Sequence, residues 1–234
     1  MTAQLPLALD LRHAPGLDDF VVGRNRELLD QLRRALDGDG EYLIFISGPA
    51  GSGRSHLLLG QCNAAEHSGL RAVYLPLREH RSLTPAMLEG LEQFDLLAID
   101  DVDTIAGDDD WENALFNLFN RCRDAQRRLL FSAGSGPATL AIRLPDLRSR
   151  LSWGLTIALH ALDDDGRRDL LQVLAERRAM RLPDDVARYL LERAPRHPRD
   201  LVDLVDRLDR ASLAEKRHLT IPFVRSCLGL GTGA

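Results

Sequence analysis

Cysteine is sparse in this chain, and what there is does not pair up. Cys62, Cys122 and Cys227 are far apart and odd in number, which suits neither a disulfide framework nor a zinc cluster, so they read as three semi-buried thiols. Long apolar runs are missing as well, since none approaches the roughly 20 residues that span a bilayer. Residues 1–16 lack the basic start and apolar centre of a secretory leader. The expectation is a cytoplasmic protein with no membrane partner. Positive charge is not in excess: 30 basic residues against 35 acidic ones leave a net charge of −5. Such a balance generates no field that holds nucleic acid, so contact with DNA is expected to be only indirect. The clusters Arg177-Arg178-Ala179-Met180-Arg181 and Arg193-Ala194-Pro195-Arg196-His197-Pro198-Arg199 could still meet phosphates locally, although a charge run is more often a solvated helix face. Internal repeats and low-complexity segments are absent.

What is present is an apolar pattern with a clear rhythm. At 234 residues and 44% apolar content, the chain has material for one good core and a smaller appendage. Short continuous apolar runs stand at Tyr42-Leu43-Ile44-Phe45-Ile46, Ala72-Val73-Tyr74-Leu75, Leu96-Leu97-Ala98-Ile99 and Leu129-Leu130-Phe131, with a fifth at Leu155-Thr156-Ile157-Ala158-Leu159. Runs of this length suit parallel strands buried on both faces. Helical stretches fall between them at about 54–66, 84–93, 111–125 and 137–152, the last broken near Pro145. The alternation predicts an α/β fold with a five-stranded parallel sheet between helices. After residue 162 the strand runs stop. Asp163-Asp164-Asp165 can cap a helix, Pro183 begins another, and Leu201, Val202, Leu204, Val205 and Leu208 form an apolar stripe in a third. The expected organisation is an extended tail over 1–16, an α/β domain over 17–161 and a small all-helical domain over 162–234, with no room after Pro222 for a further module.

The chemistry starts where the first strand ends. Gly48-Pro49-Ala50-Gly51-Ser52-Gly53-Arg54-Ser55 follows a buried strand and opens a helix, the context that a phosphate-binding loop requires. Its glycines let backbone N–H groups turn inward around a phosphate, the helix dipole favours the charge, and Ser55 has the reach to meet Mg²⁺. Arg54 stands where most such loops carry Lys; it keeps the charge but is longer and forked. A second element is Leu96-Leu97-Ala98-Ile99-Asp100-Asp101, an apolar strand ending in paired acids. In this reading Asp100 meets Mg²⁺ through water and Asp101 polarises an attacking water.

A phosphate loop, an acid-tipped strand and a following helical lid together resemble the AAA+ ATPases. The sequence is most similar to their DnaA-related branch and, within it, to the regulatory inactivators of the Hda family. The segments that carry this likeness are Gly53-Arg54-Ser55-His56, Ile105-Ala106-Gly107-Asp108, Leu144-Pro145-Asp146-Leu147, Ser149-Arg150-Leu151, Trp153-Gly154 and Leu219-Thr220-Ile221-Pro222-Phe223-Val224. The resemblance implies ADP or ATP as ligand, with His56 among the binding residues and Arg199 as the lid residue that senses phosphate. It makes Arg150 an arginine finger offered to a neighbouring subunit's γ-phosphate. Arg148, two residues earlier and about 200° away around a helix, is the weaker candidate. After the fourth strand, where relatives place a polar residue, the chain has Gly134, so Ser132 or Ser135 would have to substitute. Gln4, Leu5, Leu7 and Leu9 are similar to the peptide by which such proteins dock on the polymerase III sliding clamp, an extended segment laying leucines in an apolar groove. Partners implied are DnaA, that clamp and a second copy in a homodimer.

Two other functions are open on the sequence. A DnaA-like initiator or helicase-loader ATPase would engage DNA directly, which the charge balance does not favour. A free-standing ATPase or phosphotransferase would turn over nucleotide unaided, and the departures at Arg54 and Gly134 speak against that.

Overall fold

The computed structural model describes residues 16–194 and 196–228. They divide into two compact units, one of 16–20 with 25–161 and one of 21–24 with 162–228. The first unit is built on five parallel strands: β1 (Leu43–Ser47), β2 (Ala72–Pro76), β3 (Leu96–Asp100), β4 (Arg128–Ala133) and β5 (Leu155–Ala158), in the order β2-β3-β4-β1-β5. The register sets Phe45 beside Phe131 and Ile44 beside Leu155. Residues 43–46 of β1 are buried on both faces; this run has no polar position to turn outward, so it fits only an inner strand. β5 alternates between half-buried and exposed positions, as an edge strand does.

Helices α1 (Arg26–Asp37), α2 (Arg54–His67), α3 (Asp109–Asp124) and α4 (Pro145–Leu151) pack around this sheet. On one side the core is aromatic: Phe131 stacks with Phe45 and with Phe119 of α3, each pair at 6.4 Å. The start of α1 is tied to the chain after β5 by Asn25, whose side chain donates to the His160 carbonyl at 3.0 Å and accepts from its N–H at 2.8 Å.

Two expected helices are corrected. The stretch 84–93 is two short 3-10 turns, Pro85–Leu88 and Leu91–Gln93, because Gly90 takes φ +79° between them. The stretch 137–152 keeps a helix only at α4. Pro145 opens it at its first position, and a residue before proline is driven out of the helical region, which keeps Leu144 extended.

The second unit is all helical, with α5 (Asp164–Arg177), α6 (Asp184–Arg193), α7 (Pro198–Glu215) and α8 (Ile221–Cys227). Asp163 caps α5 by accepting from the Gly166 N–H at 2.9 Å. Leu171, Leu190, Leu201, Leu208 and Val224 are buried together in its core. Arg178, from one of the basic clusters, is ion-paired with Asp206.

Among the described residues no helix is long and apolar enough to cross a membrane. The three cysteines are unpaired; Cys62 and Cys122 are buried and Cys227 is half-buried. Burial pushes the thiols of Cys62 and Cys122 up to about 12. Thiolate is the reactive form, so at about pH 8 both carry almost none of it. Titration of the native protein with Ellman's reagent is therefore expected to find one reactive thiol, Cys227, and three after denaturation. A second thiol reacting natively at a similar rate would contradict the burial described.

Candidate functional site

Central placement of β1 delivers the chain to the carboxyl edge of the sheet between β4 and β5, where the loop begins. The Gly48 N–H donates to the Ala133 carbonyl at 3.1 Å, and the Ser52 N–H closes a turn onto the Pro49 carbonyl at 3.2 Å. Glycine is required at both ends of the loop. A Cβ at Gly48 would stand 2.8 Å from the Leu159 carbonyl oxygen, and one at Gly53, where φ is +101°, would stand 2.8 Å from the Phe20 ring. Arg54, Ser55 and His56 then form the first turn of α2, whose N–H groups have no acceptor within the helix and sit at its positive end. Ser52 is buried, and its hydroxyl has no hydrogen-bond partner. A loop that closes around an anion supplies that missing partner, so these residues fit a phosphate group.

Beside the loop, β3 ends in a bonded network. Asp100 is fully buried. One of its oxygens accepts from the Tyr74 hydroxyl at 2.6 Å and the other from the Ser132 hydroxyl. The Asp101 N–H donates to Ser132 Oγ at 3.1 Å. Burial, and then the Asp100 carboxylate, hold the Tyr74 phenol far above its ordinary range, so it remains a donor. Asp101 adopts the left-handed conformation, φ +56°. Its carboxylate is paired with two guanidinium groups, Arg54 at 3.0 Å and Arg78 through Nε at 2.7 Å and through Nη2. Arg54 also donates to the Gly48 carbonyl, bridging the two ends of the site.

Mg²⁺ was the expected companion of Ser55 and Asp100, and the donor set as it stands does not fit a hydrated dication. Both Asp100 oxygens are engaged with hydroxyl partners, and Asp100 offers no exposed surface through which water would bridge. The sensor position is also accounted for. A Cβ on Gly134 would lie 3.6 Å from Arg54 Nη1 and 3.2 Å from Asp103, so its bareness leaves room for the longer arginine. Ser132 is committed to Asp100, and Ser135 is exposed.

In the same unit, α4 carries Arg150. Its guanidinium carbon lies 3.8 Å from the centroid of Trp153, a side chain 51% exposed. No ion pair engages Arg150 among the described residues. The Trp153 ring leans edge-on against Phe119 at 6.3 Å, and the Trp153 backbone N–H donates to the Arg150 carbonyl at 3.1 Å. Gly154 follows because any Cβ there would strike the Leu43 carbonyl oxygen at 2.1 Å.

Comparison with known proteins agrees with this arrangement. Residues 11–158 match the family described as Bacterial DnaA ATPase domain, and residues 164–228 match the one described as Hda, lid domain. The chain belongs to the Hda/DnaA-related AAA+ family. It is 38% identical over 231 residues to an uncharacterized protein of Haemophilus influenzae, covering 98% of this chain and 100% of that one. Its fold is similar to domain III of the Thermotoga maritima replication initiation protein DnaA, with a TM-score of 0.79 at 22% identity, covering 98% of this chain and 100% of that one. It is also similar to AMPPCP-bound DnaA from Aquifex aeolicus, with a TM-score of 0.69 at 24% identity, covering 86% of this chain and 66% of that one. The molecule is thus a DnaA-like AAA+ protein with an Hda lid.

Within this AAA+ protein the predicted residues are not all in one place. Gly48 to Ser55, Asp100 and Asp101 meet at the end of the sheet. His56 faces away from the network, its Nε2 3.2 Å from the Gly16 carbonyl oxygen and its ring edge-on to Phe20. Arg199 belongs to the helical unit, in the first turn of α7, where its N–H donates to His197 Nδ1 at 3.2 Å. Gln4, Leu5, Leu7 and Leu9 lie outside the described residues. Sequence reasoning missed Tyr74, Arg78 and Glu112. Glu112, fully buried, accepts from the N–H groups of Gly107 at 2.7 Å, Arg143 at 3.0 Å and Leu144 at 2.7 Å, pinning the entry to α4. Its only trace in the sequence was an acid in the first turn of a helix after Ile105-Ala106-Gly107-Asp108. Glu112→Ala leaves three N–H groups and the space of a buried carboxylate unfilled and is expected to cost about 3 kcal/mol or more, with Glu112→Gln costing about half that. Urea unfolding measures both, and a loss below about 0.5 kcal/mol in the alanine variant would show the pin is dispensable.

Proposed function

We propose that this protein is a negative regulator of replication initiation that promotes hydrolysis of ATP bound to DnaA. It binds an adenine nucleotide, ADP or ATP, on Gly48 to Ser55. The segment carrying Gln4, Leu5, Leu7 and Leu9 docks it on the polymerase III sliding clamp, and Arg150 is presented to the partner's nucleotide. Adenine nucleotide is the ligand class because the Aquifex aeolicus relative is bound to AMPPCP.

The observation that carries this reading is the guanidinium of Arg150, without an ion pair among the described residues and laid on an exposed indole. Stacking occupies the flat face of the group and leaves its N–H edge free, which is the geometry for two hydrogen bonds to phosphate oxygens. Charge that builds on the transferring phosphoryl group is met by a cation already in position, so little reorganisation remains at the moment of reaction. The chain's own site supports binding over turnover: Asp101, the expected base, is held between Arg54 and Arg78. No step of this reading uses Mg²⁺ on this chain. Arg199 contributes by coupling phosphate occupancy to the helical unit.

The deciding experiment measures hydrolysis of ATP on DnaA in the presence of DNA-loaded clamp. Arg150→Ala is expected to lower the stimulated rate by about a thousandfold. A Gln4→Ala/Leu5→Ala variant is expected to lose stimulation only where it depends on the clamp. Trp153→Ala is expected to lose about tenfold while Trp153→Phe stays near the native rate, because the ring acts as a plate. A native chain that gives no stimulation but hydrolyses ATP by itself would replace this reading with that of an initiator or loader ATPase.

A further inference from the structure

The network at the end of β3 is complete without a metal ion. The Asp101 carboxylate is paired with two guanidinium groups, Arg54 and Arg78, beside Asp100, and Asp103 lies near Arg54 at Gly134. A loop with one cation beside two acids would carry net negative charge and would need a divalent cation before phosphate approached. Here Arg78, entering from the turn after β2, supplies the second positive charge. Its side chain is 54% exposed, whereas Arg54 is 11% exposed. The Asp100 oxygens are filled differently, by the neutral donors Tyr74 and Ser132. A buried carboxylate with two hydroxyl donors is already compensated, and a dication would have to displace them to reach it.

We infer that nucleotide binds this loop without help from a divalent cation, with Arg54 and Arg78 supplying the positive charge and Tyr74 capping Asp100. This rests on reading Gly48 to Ser55 as a nucleotide site. Arg54 is the group shared between Asp101 and the loop, and phosphate draws on the same guanidinium. Arg78 keeps Asp101 compensated when Arg54 turns toward phosphate. Tyr74 and Arg78 are positioning residues in this scheme, since neither needs to touch the ligand.

The test is titration of the full-length protein with N-methylanthraniloyl-ADP, read by fluorescence, once in excess EDTA and once in excess MgCl₂. The dissociation constant is expected to agree within about twofold between the two conditions. A loss of about tenfold or more in EDTA, equivalent to roughly 1.4 kcal/mol, overturns the inference while leaving the nucleotide site intact. No binding in either condition overturns the nucleotide site itself. Tyr74→Phe frees one Asp100 oxygen and is expected to convert the flat response into one in which Mg²⁺ tightens binding by about tenfold. Arg78→Ala is expected to weaken binding in EDTA by a similar factor and to recover in Mg²⁺. A Tyr74→Phe protein with native circular dichroism and no metal response rules out Tyr74 as the cap.

Discussion

Two carboxylates at the tip of an inner strand have to be compensated where they stand, because little or no water reaches them. Asp100 has no exposed surface and Asp101 only 5%, and an uncompensated buried charge costs several kcal/mol. The rest of the site follows from that demand. Arg54 reaches across from the loop, Arg78 comes in from beyond β2, and Tyr74 and Ser132 point in from the strands on either side of β3. The resulting net draws together β2, β3, β4 and the first turn of α2. Substitution of one member therefore strands a charge on another, and the loop's geometry and its electrostatics are one property.

The region around α4 solves a different problem. A helix of seven residues has too few hydrogen bonds to hold itself, since nucleation consumes most of what so short a segment gains. Its orientation is imposed from outside: Glu112 pins its entry, and Gly154 lets its exit pass against the Leu43 carbonyl. Between these anchors Arg150 rests on a ring that is itself braced by Phe119. Rigidity at this cation is thus supplied by a buried acid and a missing side chain, neither of which carries any positive charge.

Legibility in the sequence followed the range of the interactions. The phosphate loop and the acid-tipped strand were readable because each is local: glycines between a strand and a helix, acids at the end of an apolar run. The five strands were readable for the same reason. Arg78, Tyr74 and Glu112 were not, since each acts on residues far off in sequence, and nothing in an arginine after a strand or a tyrosine within one announces its partner. Arg54 illustrates the same limit. In a chain whose single lysine is Lys216, an arginine in the loop is weak information until its bonds to Asp101 and Gly48 are seen. The errors at 84–93 and 137–152 arose where Gly90 and Pro145 overrode an apolar pattern that alone suits a helix.

Trp153 has a consequence beyond its hold on Arg150. The chain has two tryptophans, and the other, Trp111, is only 4% exposed. An indole in water emits to the red of one in an apolar core, so the two contributions separate by wavelength. The red component comes from the ring that touches the guanidinium, and anything that covers Arg150 or draws it off the ring alters that light. The molecule carries its own optical gauge at the surface around Arg150.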